Sequence, residues 1–162
     1  MKPVDTDSIK TVDVDYDNTD IKCIIKAIEN DNNVDVMLTT FTNIKQEKND
    51  ILQQLKVSGK DLKIYHKKLK EYRFIDDLSS LRDGCYIRWI NIMDPECKLT
   101  YGSIVCSVDE DGGYIYTKSS NAFPRIRYVT LRFENVIVFQ KLTDQELILL
   151  KITKLIDDGN ID

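Results

Sequence analysis

A chain of 162 residues, 42% hydrophobic and 31% charged, is long enough to bury one core without disulfide or metal staples. Its formal net charge of −4 excludes binding to nucleic acid through overall charge, and no apolar run approaches the ~18 residues needed to cross a bilayer. The opening MKPVDTDSIK lacks the apolar core of a secretory signal, so a protein that is not secreted is expected.

Charge is segregated along the chain. Residues 1–35 carry nine carboxylates against four lysines, residues 36–75 nine basic against four acidic groups, and residues 76–162 ten basic against fourteen acidic. The four cysteines, Cys23, Cys85, Cys97 and Cys106, form neither a CxxC pair nor a zinc-ligand spacing, and read as reduced, buried thiols acting as small apolar residues.

Residues 1–18 read as an acidic leader without fixed structure. The alternation of Val12, Val14 and Tyr16 with aspartates offers a charged edge strand as the alternative. A calcium loop is excluded, because Asn18 and Ile24 stand where the sixth-position glycine and twelfth-position glutamate belong. A helical region is predicted over 19–81. Thr19 caps a first helix with Ile21, Ile24, Ile25 and Ile28 on one face, and a short strand is expected at Val34, Val36 and Leu38. Thr42 caps a second helix carrying Ile44, Ile51, Leu52 and Leu55, which ends at a Gly59 C-cap. A third helix carries Leu62, Tyr65, Leu69 and Tyr72, and the last two form a helical hairpin. Lys56, Lys60, Lys63, Lys67 and Lys70 recur every three or four residues as a basic stripe. It reads as a phosphate-tracking surface or as a solvated helix face. His66, the only histidine, lies among these lysines and reads as an exposed surface residue.

From residue 82 onward the period changes. GCYIRWIN at 84–91 has the aromatic and β-branched content of a strand bounded by turn formers. Four more strands are predicted at 98–108, 113–118, 126–133 and 135–141, with a hairpin tip at Asp109–Gly112. Thr143 and Glu146 form a capping box for a last helix that ends at Gly159. The expected fold is α+β: N-terminal helices, a small five-stranded antiparallel SH3-like barrel over 82–162, and a C-terminal helix.

No catalytic set, metal cluster or cofactor motif is present, so a non-enzymatic protein without cofactor is expected. Tyr86, Arg88, Lys118, Arg125, Arg127 and Tyr128 combine aromatic and cationic side chains on the sheet as a candidate binding face. The alternative is that the tyrosines line core edges and the arginines pair locally. A protein partner or self-association is expected, with nucleic acid as the alternative and no membrane.

The runs Tyr72–Leu78 and Leu81–Ile90, continued by Gly102–Val105 and Phe139–Thr143, resemble segments of small proteins of large nucleocytoplasmic DNA viruses of the mimivirus type. Abundant Ile, Lys, Asp and Asn (20, 17, 20 and 10 residues) also fit an AT-rich genome. The resemblance covers residues 72–162. It implies no catalytic residue, and it implies a place in the host cytoplasm at the virus factory, or in the virion.

Overall fold

The computed structural model describes residues 18–119 and 125–159; the acidic leader and its alternating Val12, Val14 and Tyr16 lie outside them. In chain order the elements are α1 (Asn18–Glu29), α2 (Val34–Met37), α3 (Phe41–Gln53), α4 (Gly59–Lys68), β1 (Tyr72–Ile75), β2 (Tyr86–Asn91), β3 (Ser103–Asp109), β4 (Tyr114–Ser119), β5 (Arg127–Arg132), β6 (Val136–Lys141) and α5 (Asp144–Gly159). The strands form one sheet in the order β1-β6-β2-β3-β4-β5, with every neighbouring pair antiparallel.

The α+β class is as expected, but the closed five-stranded SH3-like barrel is not. Among the described residues the sheet has six strands and is open. The extra strand, β1, lies in the stretch read as helical. Tyr72 completes the row of Leu62, Tyr65 and Leu69, which gives it helical spacing. The chain nevertheless leaves the helix at Leu69, and Tyr72–Ile75 pairs with Val138–Lys141. With β1 on one side and β2 on the other, β6 has no free edge left for β5.

The sheet is curled. Between Val105 and Ser107 the register with β4 slips, leaving Cys106 as a bulge residue, a device that bends a strand and increases its twist. Inward-facing Ile75, Ile87, Trp89, Val105, Ile115, Leu131 and Val138 therefore share one core, joined by Leu78 and Leu81 from the 3-10 turn Leu78–Ser80. On the opposite face, Leu52 of α3 and Tyr65 and Leu69 at α4 pack over Tyr72, Ile90 and Phe139. A third cluster joins Val36, Ile44, Leu142 and Leu150, and so ties α2, α3 and α5 together.

Local signals fix the helix ends. The capping box forms in both directions: Glu146 N donates to Thr143 Oγ1, and Thr143 N donates to Glu146 Oε1, each at 3.1 Å. The cap of α3 is Thr40, whose hydroxyl accepts from Asn43 N, and not Thr42. Ser58 caps α4 by accepting from Asp61 N, so Gly59 opens that helix instead of closing the previous one. Thr19 falls inside α1, which begins at Asn18.

The strand expected at Val34–Leu38 is the short helix α2. Asn30 caps a 3-10 turn there, and buried Asn33 donates from Nδ2 to Ala27 O (2.8 Å) and Gln145 Oε1 (3.1 Å). These bonds hold the backbone in a helical path with no strand beside it. The cysteine expectation also fails: Cys23 and Cys106 are exposed, and Cys85 and Cys97 are only partly buried. Among the described residues no helix is long and apolar enough to cross a membrane.

Candidate functional site

Residues directly opposite one another across paired strands project from the same face. Tyr86 pairs with Ile104, Ile104 with Lys118, and Lys118 with Tyr128. Three of the six predicted face residues, Tyr86, Lys118 and Tyr128, therefore lie in one row across β2, β3, β4 and β5. The same face continues through Tyr116, opposite Thr130, and Tyr114, opposite Arg132.

This is also the face on which α3 and α4 sit, but they cover only part of it. Over β1, β6 and β2 it is roofed, with Ile90 and Phe139 fully buried. Over β4 and β5 it is open: Tyr116 is 41% and Tyr128 74% exposed. Tyr116 and Tyr128 are diagonal neighbours, a spacing of roughly 7–8 Å within reach of aromatic side chains. Lys118 stands beside them, and Arg132 is held by an ion pair to Glu134 (2.6 Å).

The structure does not bring all predicted residues into this surface. Arg88 is partly buried, and its Nε donates to Thr100 O at 2.8 Å. Tyr86 donates its hydroxyl to Tyr101 O at 2.8 Å. Both bonds, with Trp89 N to Thr100 Oγ1, pin the long loop between β2 and β3. Arg88, opposite Phe139, projects from the same face as Tyr86 but is held there as a loop anchor and is not free to meet a partner. Arg127 is exposed but pairs with Ser119, which puts it on the side of the sheet shared by Val129 and Leu131. Arg125 is exposed just before β5. Tyr101, 83% exposed, and Tyr116 belong among the exposed aromatic residues and were outside the predicted six. The alternation of Tyr114 and Tyr116 with Ile115 was the signal for Tyr116.

The far edge of β5 completes the geometry. Among the described residues nothing pairs with it. It is six residues long and contains no proline. An edge strand of this kind offers a row of unpaired N–H and C=O groups to an incoming strand.

The basic stripe is a different surface. Lys56, in the connection between α3 and α4, Lys60, Lys63 and Lys67 on α4, and Lys70 just after it are all exposed, opposite the Leu62, Tyr65 and Leu69 row that packs on the sheet. Behind its C-terminal end lies a cleft of about 580 Å³ lined by Phe41, Ile44 and Leu142 and by Lys45, Lys48, His66 and Lys70.

Lys48, which no local sequence pattern marks, is only 6% exposed. Its Nζ donates to Leu69 O (2.7 Å) and more weakly to Lys70 O (3.4 Å). Leu69 O also accepts from Tyr72 N (3.0 Å), so the ammonium is a second donor to it, placed where the end of a helix favours a cation. Burial, and secondarily the charge of Lys45, lower its pKa to about 8. His66, expected to be exposed, is partly buried in the same cleft. Its pKa lies below the ordinary histidine value through burial and then through Lys48 and Lys45.

Among the described residues no group of three or more His, Cys, Asp or Glu side chains is placed to hold a metal ion. No family model matches the chain, and no match is found among curated proteins or solved structures.

Proposed function

We propose that the protein is a non-enzymatic interaction module that docks an extended peptide segment of a protein partner on the open half of the sheet. The observation that supports this is the partial roof: α3 and α4 cover the face over β1, β6 and β2, and leave Tyr116 and Tyr128 exposed, with half-buried Lys118 between them, beside the edge of β5 that no described residue pairs with. Tyrosine is among the residues that hot spots at protein interfaces are made of, and the edge supplies main-chain pairing. Following the resemblance to proteins of large DNA viruses, the partner would belong to a virus-factory or virion assembly.

Exposed tyrosines beside cations also stack nucleobases, which keeps a single-stranded nucleic acid as the second reading. Selection from a random peptide display library, run beside a fluorescent single-stranded oligonucleotide, separates the two. Peptides should be enriched, and Tyr128→Ala and Tyr116→Ala should each weaken them about tenfold or more, an alanine-scan loss above 1 kcal/mol. Failure to select any peptide, or binding indifferent to both substitutions, refutes peptide docking. Oligonucleotide binding that falls steeply with salt and requires Tyr128 would support the second reading instead.

A further inference from the structure

Helix α1 carries an apolar stripe that the other described residues do not cover. Ala27 is buried, whereas Ile21, Ile25 and Ile28 remain 45%, 47% and 50% exposed. Asn30 and Asn33 both donate to Gln145 Oε1, so the C-terminal end of α1 lies at the start of α5, and the two helices pack against each other. The start of α1 then lies toward the end of α5, where Leu155 and Ile156 are 63% and 57% exposed. An apolar surface of this kind on a soluble chain marks an interaction site.

The pattern names the partner. Ile21, Ile25 and Ile28 are spaced four and three apart, the d-a-d spacing of a coiled-coil seam. Lys22 and Glu29 each follow a stripe residue by one position, so they share one flank of it, the e position. In an antiparallel pair of such helices, e faces e, and Lys22 of one copy meets Glu29 of the other twice over. A parallel pair would set Glu29 beside Ile24 of the other copy and leave that charge without a partner. Lys22 and Glu29 are exposed, and neither forms an ion pair with another described residue.

We propose that two copies of this chain associate through α1, antiparallel about a two-fold axis near Ile25, with Ile21 packing on Ile28 of the other copy. The contact is isologous and so closes at a dimer.

Light scattering on the full-length chain after size exclusion tests this over micromolar to sub-millimolar concentrations. The expected mass is twice the 18.8 kDa of the chain. Lys22→Glu, which places like charges across the axis, should raise the dissociation constant at least tenfold, and Lys22→Glu with Glu29→Lys should restore it. In a background with Cys23→Ser and Cys106→Ser, Ile25→Cys should cross-link into a disulfide dimer on mild oxidation, and the background alone should not. These are surface substitutions, and an unchanged far-UV spectrum confirms folding. A wild-type monomer throughout, whether because residues 1–17 cover the stripe or because nothing does, overturns the proposal. So does a dimer unaffected by Lys22→Glu.

Discussion

Single residues decide how the long β2–β3 loop and the α3–α4 cleft are held. Gly102 has φ +104°, and a Cβ there would meet Ile87 O at 2.5 Å and the Tyr86 ring at 2.7 Å. Gly102→Ala combines a strained backbone with a clash against a backbone oxygen. A loss of about 2–4 kcal/mol is expected in urea unfolding. The loop it serves is the one that holds Arg88, which is why arginine-beside-tyrosine spacing misled the sequence reading. Nothing local to GCYIRWIN says that Thr100 O will arrive 2.8 Å from Arg88 Nε.

Lys48 was equally hidden, since one lysine among many on an amphipathic helix has no distinguishing neighbour in sequence. Its ammonium holds its proton to about 10.5 unfolded but to about 8 folded. Between those values the unfolded state binds more protons, so stability contributed by this residue rises as pH increases from about 8 to about 10.5. Lys48→Met has nothing to titrate. The difference in unfolding free energy between wild type and Lys48→Met should therefore shift in favour of the wild type across that window. A pH-independent difference would contradict the burial of Lys48.

At the scale of elements, the sequence was most readable where a local rule closed on itself. The Thr143–Glu146 box appears in the structure as two reciprocal bonds. The strands from β2 to β6 fall within a few residues of their predicted spans, because glycines, asparagines and acidic turns punctuate them. Tyr72 and Val34 failed because short apolar spacings satisfy both periods. Long-range partners, β6 for the first and Gln145 for the second, made the choice.

Glu146 shows what such partners add. It is fully buried and faces Arg73 at 3.7 Å across the space between α5 and β1, while also capping its own helix. Arg73 Nε and Nη2 and Glu146 Oε2 lack hydrogen-bond partners among the described residues, so the pair stands on its mutual charge. Removing one member strands the other, which typically costs about 3–5 kcal/mol. Glu146→Ala should fall in that range by thermal or urea unfolding. Arg73→Met with Glu146→Leu should recover most of the loss, because a well-packed apolar pair replaces an imperfect ionic one. A double variant as unstable as the single would show that the cap, and not the charge pair, carries the effect.

For the molecule as a whole, the arrangement is a curled sheet with a full core on one face and a half-covered second face. The sequence announced the sheet and the helices but not their overlap. Which half of the outer face α3 and α4 would roof depends on where β1 joins, and β1 was the strand that helical spacing concealed. The lysines of α4 project away from the roof, so the basic stripe and the tyrosine surface are separate surfaces of the protein. That separation makes the central claim directly testable. With a peptide chosen by display bound to isotope-labelled full-length protein, backbone amide shifts should change at Tyr116, Lys118 and along Arg127–Arg132, with slowed hydrogen exchange on the outer edge of β5. The amides of α4 should stay unchanged. Shifts confined to Lys60, Lys63 and Lys67, or scattered without protection of β5, would contradict docking on the open half of the sheet.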